Sequence, residues 1–245
     1  MNVAGGAPYR PARSHRSRHA RRFRDRAEAG GLLADALAPL LARPFVVAAI
    51  PRGGITVALP VAERLAAPLT VVHARKLTAP VAPELAFGAL DEDGQAMLDE
   101  EIVGLLRLSE GAVDEARKRA AAEIERRVAS YRVPPLARFL PGAGVVLIDD
   151  GLATGLTMRA AVAYARRHGA RDITVAVPCA APGAAARLER EADRVVSLVT
   201  DEAFEAVGAY YDDFSPVSDD EVIAMLERAW KNAPEGYSRL GGIST

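Results

Sequence analysis

The part of the sequence best suited to chemistry is residues 145–158. A continuous apolar run there ends in two acids, Asp149 and Asp150, and a loop of small residues follows. This loop contains Gly151, Ala153, Thr154, Gly155, Leu156 and Thr157. Glycines let the backbone turn tightly, so that N–H groups and a helix start can converge on an anion, and threonine hydroxyls add donors. The loop is therefore predicted to hold a phosphate group.

The two acids indicate what is attached to that phosphate. Ionised carboxylates only accept hydrogen bonds, so Asp149 and Asp150 suit the vicinal hydroxyls of a sugar and suit direct phosphate contact poorly. Acids beside an anion site predict ribose 5-phosphate, whose hydroxyls and phosphate lie at opposite ends. On spacing alone, an ordinary strand-to-helix connection with caps and turns is the alternative, because Asp and Thr commonly begin helices.

The residues of this loop exclude two other nucleotide motifs. A phosphate loop of the ATPase kind needs Lys-Ser or Lys-Thr after its second glycine, and Leu156-Thr157 stands there. A dinucleotide site needs the pattern G-x-G-x-x-G, whereas this loop has only Gly151 and Gly155. Neither a P-loop nor a dinucleotide fingerprint is present in this loop.

Two further loops carry cations where other apolar runs end. Arg52, Gly53 and Gly54 follow one such run, and a glycine pair with a guanidinium can grip phosphate oxygens. Arg75 and Lys76 end the next run. Each signal is weak alone, since a plain turn or a lone surface cation explains it equally well. Together they predict a diphosphate site next to the ribose 5-phosphate site.

The spacing of apolar residues predicts the elements that would position these loops. Short apolar runs, typical of buried strands, alternate with helical patterns. Strands are predicted at 45–50, 69–74, 145–148, 173–178 and 195–199, and helices at 23–41, 55–65, 109–131, 156–168, 182–191 and 218–231. This alternation predicts an α/β fold with a mostly parallel, doubly wound sheet, in which ligands bind beyond the carboxyl ends of the strands.

Small appendages are expected beside the main sheet. Residues 85–90 and 95–98 flank an acidic turn with an Asp-Gly step, which predicts a hairpin. The proline-punctuated stretch 78–83 predicts a mobile loop. The aromatic stretch 204–214 would form a hood over the site, where Tyr210, Tyr211 and Phe214 either stack on a ligand ring or pack as core.

Composition limits the class of protein. A chain of 245 residues, 50% hydrophobic and 26% charged, predicts one domain at 23–233, with a basic, disordered leader at 1–22 and a flexible tail at 234–245. The net charge of −1 gives no general attraction to nucleic acid, and no apolar run is long enough to span a membrane. The single cysteine excludes an internal disulfide framework, and we expect a cytoplasmic protein.

The residues quoted above resemble a known family. The segment 149–157 is similar to the signature of the type I phosphoribosyltransferases, in which a strand ends in two acids and the next loop holds a 5-phosphate. More widely, the chain resembles a group of poorly characterised bacterial phosphoribosyltransferase-domain proteins. That likeness covers Phe23-Arg24-Asp25-Arg26 and residues 50–54, 75–77, 84–88 and 207–214.

The resemblance implies a Mg²⁺-dependent enzyme that transfers ribose 5-phosphate from phosphoribosyl pyrophosphate to a nitrogenous acceptor and releases pyrophosphate. In the roles it implies, Asp149 and Asp150 bind the ribose, residues 153–157 bind the 5-phosphate, and residues 52–54 bind the pyrophosphate. The pyrophosphate loop of this family often has a non-proline cis peptide. Arg75 and Lys76 would approach the pyrophosphate from the base of a flexible loop at 77–87, and Asp150, Arg52 and Lys76 would be catalytic. Magnesium would be held by substrate oxygens and water rather than by a protein metal site, and the protein would be a homodimer.

Two other functions stay open at this point. One is a non-catalytic regulator on the same fold that senses phosphoribosyl pyrophosphate, and the other is a kinase or hydrolase on a similar sheet. The acceptor is not identified, because the stretch 77–87 lacks the Ser-Tyr pair of purine-type members. Thr200 and Asp201, after the last predicted strand, are further candidates for the acceptor side.

Overall fold

A parallel sheet of five strands lies at the centre of the fold, in a computed structural model that describes residues 22–79 and 82–232. In chain order the elements are α1 (Arg26–Leu37), β1 (Phe45–Ala49), α2 (Gly53–Arg64), β2 (Leu69–Val71), β3 (Ala74–Ala79), β4 (Ala82–Asp91), β5 (Ala96–Leu98), α3 (Glu100–Leu105), α4 (Glu110–Tyr131), β6 (Gly144–Ile148), α5 (Leu156–Arg167), β7 (Ile173–Ala180), α6 (Pro182–Leu188), β8 (Arg194–Thr200) and α7 (Asp219–Lys231). The strand order is β2-β1-β6-β7-β8, and each neighbouring pair is parallel.

Helices cover both faces of this sheet. Strands β1, β6 and β7 are buried at every residue, which explains why they read as continuous apolar runs rather than alternating ones. Leu147 packs on the face that α5 and α6 cover, whereas Ile148 packs on the face that α1, α2 and α7 cover. The predicted α/β fold with a doubly wound parallel sheet is confirmed.

The remaining strands form a small antiparallel sheet of order β3-β4-β5. The predicted hairpin around the acidic turn is confirmed by the pairing of β4 with β5. The described residues of the stretch 77–87 form strands rather than an irregular loop, because β3 and β4 pair there, with Thr78 opposite Ala86. Leu77 and Phe87 are completely buried under α4, and this burial favours a hairpin despite the prolines.

Some predicted boundaries also differ. The helix predicted at 23–41 is α1, which begins after the capping residue Asp25 and ends at Leu37, so that Leu40 is exposed. The last predicted helix, at 218–231, is α7, and a capping box between Ser218 and Glu221 begins it. The leader up to residue 21 and the tail at 234–245 lie outside the described residues. Within the described part of the chain, no helix is both long and apolar enough to cross a membrane.

The central strand allows a direct test of the core. Leu147 in β6 is fully buried, so Leu147→Ala should lower the free energy of unfolding by about 2–5 kcal/mol through lost contacts and a residual cavity. Leu105, with 78% of its surface exposed, is the matched control, and Leu105→Ala should change stability by less than about 0.5 kcal/mol. Urea denaturation of both variants measures the difference, and equal losses would contradict this assignment of the core.

Candidate active site

A cavity of about 640 Å³ lies where three of the predicted loops meet. Its residues come from the loop after β1, from β3, from α4, and from the loop after β6 with the start of α5. They are Ile50, Pro51, Arg52, Gly53, Ala74, Arg75, Lys76, Thr78, Ala116, Arg119, Ala120, Glu123, Arg127, Asp149, Asp150 and Thr157. The structure therefore brings together the acids and the cations that the sequence predicted as one site.

The loops after β1 and β6 touch each other at two glycines. Ala49 and Ile148 are register partners, so both loops leave the sheet side by side. A Cβ atom at Gly53 would lie 2.0 Å from Asp150 Oδ2, and one at Gly54 would lie 2.8 Å from the Ile148 carbonyl oxygen. Only glycine allows this approach. The peptide bond between Pro51 and Arg52 is cis, as the resemblance implies.

The two acids are held close to each other in a partly enclosed position. Burial and the neighbouring Asp150 charge raise the pKa of Asp149 well above its usual range. Burial also raises the pKa of Asp150, although the Arg26 charge and hydrogen bond act in the opposite direction. Lys76, which lies in β3, also opposes the effect of burial, because its positive charge lowers the pKa of both acids. The carboxylates thus depend on nearby cations to stay ionised.

Arg26 is a contact of this site that the sequence did not identify. It is the first residue of α1, it is buried, and its Nε donates to Asp150 Oδ2 at 2.9 Å. A signal did exist, because Arg26 occupies the buried stripe of α1 together with Leu33 and Leu37. A cation at such a position needs an acidic partner, and residues distant in sequence supply it.

The loop between β6 and α5 provides a helix start suited to an anion. Gly155 is the N-cap of α5 with a φ of 77°, in the left-handed region that favours glycine. Thr157 lines the cavity, and Ala153 and Thr154 are exposed. The side chain of Leu156 is buried among alanines of the hairpin, so this residue can offer only its backbone N–H.

Gly151, in the same loop, is close-packed rather than open. A Cβ atom there would lie 2.7 Å from Val207 Cγ1 and 2.9 Å from Cys179 Sγ. Burial raises the pKa of the Cys179 thiol to about 12, as expected of a small core residue. Gly151 thus serves the packing of the loop and is not among the residues that line the cavity.

Positive charge also lines the cavity. Arg52, Arg75 and Lys76 all line it with exposed side chains. Burial lowers the pKa of Arg75, as do the charges of Arg127 and Arg52, whereas Glu123 raises it. Other cations lower the pKa of Arg75 because they make the electrostatic potential around it more positive. A positive potential of this kind would attract an anionic ligand.

Helix α4 forms a wall of the site that the sequence did not reveal. Arg119, Glu123 and Arg127 line the cavity at intervals of four residues, as one helix face requires. Arg127 is buried, and its Nε donates to Glu123 Oε1 at 2.9 Å. A hydrogen bond from Arg126 and the charges of both arginines lower the pKa of Glu123 to about 2, despite its partial burial. The periodicity was visible in the sequence, but the orientation of this face was not.

The aromatic segment after β8 is mostly core. Tyr210 and Tyr211 are buried, and the Tyr211 hydroxyl donates to the Asp150 carbonyl oxygen at 2.7 Å. Asp201 accepts a hydrogen bond from the Tyr210 hydroxyl at 3.0 Å. Phe214 lies against Arg26, with 3.8 Å between the guanidinium carbon and the ring centroid. The packing interpretation of Tyr210 and Tyr211 is therefore the correct one.

Comparisons with known proteins agree with this geometry. Residues 27–214 match the model of the phosphoribosyl transferase domain family. Two Mycobacterium tuberculosis proteins, "Putative phosphoribosyl transferase MT0597" of strain CDC 1551 / Oshkosh and "Putative phosphoribosyl transferase Rv0571c" of strain ATCC 25618 / H37Rv, are each 43% identical over 213 residues, which is 87% of this chain and 48% of theirs. The chain thus spans about half the length of the curated relatives it matches.

A solved structure is also similar. The crystal structure of TT1426 from Thermus thermophilus superposes with a TM-score of 0.70 at 44% sequence identity. The match covers 84% of this chain and 98% of that one. The similarity therefore extends over nearly all of the Thermus chain.

The contact between the two loops can be tested at Gly53. In Gly53→Ala the new methyl group would displace the Asp150 carboxylate from Arg26, so we expect a destabilisation of about 1–3 kcal/mol and weaker binding of inorganic pyrophosphate. Gly104 lies in α3, where an added Cβ atom would have no neighbour within 4 Å, so Gly104→Ala is the control. Urea denaturation and calorimetry measure the two effects. Wild-type behaviour of Gly53→Ala would disprove the close approach.

Proposed function

The chain belongs to the phosphoribosyl transferase domain family, and on this basis we propose that it transfers ribose 5-phosphate from phosphoribosyl pyrophosphate to a nitrogenous acceptor. One observation supports this most strongly. The paired acids and the Arg52-Gly53-Gly54 loop are in contact at one end of a cavity whose other walls carry Arg75 and Lys76. A molecule with a sugar next to a diphosphate has both of the groups that this arrangement would recognise.

The sugar half of the substrate would lie between β6 and α5. Asp149 and Asp150 would accept hydrogen bonds from the ribose hydroxyls, which can donate, whereas an ionised phosphate cannot. The 5-phosphate would bind at the start of α5, where Gly155 and Thr157 leave N–H groups and a hydroxyl for an anion. The substrate would then be held at both ends of the ribose ring.

The diphosphate half would lie on the cationic side. Arg52 can contact phosphate oxygens bidentately, and Arg75 and Lys76 add charge from β3. The α4 residues Arg119 and Arg127 enlarge this region beyond the cations that the sequence predicted. Excess positive charge at this end would stabilise a departing pyrophosphate more than the bound substrate, which is the condition for catalysis.

The reaction then needs positioning more than a protein nucleophile. The lone pair of an acceptor nitrogen would form a bond to ribose C1 as the bond from C1 to the pyrophosphate oxygen breaks, with both electrons leaving on pyrophosphate. The proton lost by the acceptor nitrogen would pass to solvent. Asp150 would stabilise positive charge on the ribose, while Arg52 and Lys76 would stabilise the leaving group.

We also propose that magnesium enters with the substrate. Among residues 22–79 and 82–232, no group of three or more His, Cys, Asp or Glu side chains could hold a metal ion. The ion would be held mainly by diphosphate oxygens and water, the coordination that Mg²⁺ prefers. When bound there, the ion would neutralise charge on the leaving pyrophosphate.

The first test of the proposal is binding. We expect phosphoribosyl pyrophosphate with Mg²⁺ to bind, and Asp150→Asn to weaken binding by about 1.5–3 kcal/mol, or about tenfold to a hundredfold, because a charged acceptor is lost. Asp172 lies at the amino end of β7, far from these loops, and Asp172→Asn is the control. Isothermal calorimetry measures both affinities. Binding that Asp150→Asn leaves unchanged would overturn the ribose assignment.

The second test is turnover. Pyrophosphate release should be measured with a panel of nucleobases and other nitrogenous acceptors at saturating phosphoribosyl pyrophosphate. Release with one acceptor class would establish the transferase. Binding without release on any acceptor would instead favour the regulator that senses phosphoribosyl pyrophosphate.

The third test concerns the α4 wall. Arg119 lines the cavity, so Arg119→Gln should weaken the binding of inorganic pyrophosphate by about 1 kcal/mol and reduce its salt dependence. Lys118 is the neighbouring residue, is exposed, and pairs with Glu115, so Lys118→Gln removes the same charge away from the cavity. Calorimetry at two salt concentrations distinguishes the variants. An equal effect of both would show that α4 acts only through general charge.

A further inference from the structure

The geometry points to Arg26 as a positioning residue that orients the Asp150 carboxylate and joins it to the segment after β8. This inference rests on the proposed function, in which Asp150 contacts the ribose. Arg26 itself lies outside the residues that line the cavity, so it would act through Asp150 rather than on the substrate. Three contacts fix its guanidinium.

The first contact is with the acid. Arg26 Nε donates to Asp150 Oδ2 at 2.9 Å, and the two side chains are 9% and 17% exposed. A buried arginine is rare unless it is paired, so this ion pair accounts for its position. An ionised carboxylate has about four acceptor positions on two oxygens, so the bond to Oδ2 leaves capacity for ribose hydroxyls.

The other two contacts come from the segment after β8. Arg26 Nη1 donates to the Ser215 carbonyl oxygen at 2.9 Å, and the Phe214 ring covers one face of the guanidinium. Tyr211, in the same segment, donates to the Asp150 backbone. The segment therefore holds both members of the ion pair. Rotation of the guanidinium away from Asp150 would break its hydrogen bond to the acid and disturb its contacts with Ser215 and Phe214.

The loop after β1 closes the remaining side. A Cβ atom at Gly53 would lie 2.0 Å from Asp150 Oδ2 and 3.1 Å from Arg26 Nε. The ion pair thus packs directly on the loop proposed to bind pyrophosphate. In the observed orientation, the Asp150 carboxylate accepts the hydrogen bond from Arg26 and also fits against Gly53. The hydrogen bond from Arg26 favours this orientation.

Charge is the second part of this role. Burial raises the pKa of Asp150, and the charge and hydrogen bond of Arg26 are the largest of the effects that lower it. Without Arg26, Asp150 would take up a proton at higher pH and lose its negative charge. Among residues 22–79 and 82–232, the charged and titratable groups that face Asp150 or Arg26 are Asp149, Lys76, Cys179, Tyr211 and Asp213. Lys76 alone among them would remain to keep Asp150 ionised.

Three variants separate positioning from general stability. Arg26→Gln removes the charge, and Arg26→Lys keeps the charge but loses the planar fork. Arg22→Gln is the control, because Arg22 also ties the chain to the segment after β8, through the Tyr211 carbonyl and Asp212, without touching Asp150. All three are compared with wild type in circular dichroism to confirm folding.

The first measurement uses the ligand-free protein. Carboxyl carbons of aspartate are followed by NMR as pH is varied, and the Asp150 signal is identified by its loss in Asp150→Asn. We expect Arg26→Gln to raise the Asp150 pKa by about one unit or more, Arg26→Lys to restore most of the difference, and Arg22→Gln to leave it unchanged. An unshifted Asp150 pKa in Arg26→Gln would overturn the inference.

The second measurement is the affinity for phosphoribosyl pyrophosphate with Mg²⁺ as a function of pH. Loss of binding on the acid side should move to higher pH in Arg26→Gln but not in Arg22→Gln. A uniform loss at every pH would show a merely structural role and contradict the positioning role. Failure of the wild-type protein to bind would instead reject the proposed function, while the NMR titration would still decide whether Arg26 controls Asp150.

Discussion

The contact between the loops after β1 and β6 is the constraint on which the site depends. Parallel pairing with Ala49 opposite Ile148 starts both loops at the same height of the sheet. Their approach is so close that Gly53 and Gly54 have no room for a Cβ atom. Because the strands beneath are buried on both faces, the loops cannot separate without disturbing the core. The position of the acids relative to the Arg52 loop is therefore determined by the sheet itself.

Around this contact, the paired acids and most of the cations that line the cavity come from different elements. The acids stand at the end of β6 next to a buried partner, Arg26, whereas the other cations come from the loop after β1, from β3 and from α4. Among the described residues that line the cavity, only Glu123 places an acid among these cations, and Arg126 and Arg127 hold it. A ligand with hydroxyls at one end and strong negative charge at the other complements both halves. Charge separation of this kind favours orientation as much as affinity.

The sequence predicted the loops well because their signals are local. An apolar run followed by acids or glycines specifies a strand, its end and the adjacent loop within about ten residues, and parallel pairing then brings such ends together. Arg26 and the α4 face were missed because their roles depend on contacts with residues far along the chain, and Arg26 lies 124 positions from Asp150. The prolines of the stretch 78–83 suggested a loop, whereas burial of Leu77 and Phe87 under α4 favours strand pairing on both sides of it.

The hairpin of β3 and β4 also determines the size of the site. Arg75 and Lys76 stand on β3, while Ala74, Ala86 and Ala89 of the same hairpin pack against Leu156 and Ala160 of α5. Alanine has a small side chain, so the alanines of this interface allow the hairpin to pack closely on α5. The distance from the start of α5 to the cations of β3 thus depends on alanines that pack between the hairpin and this helix. Under the proposed function, selectivity for the length of a phosphorylated sugar would be a property of the packing that separates β3 from α5.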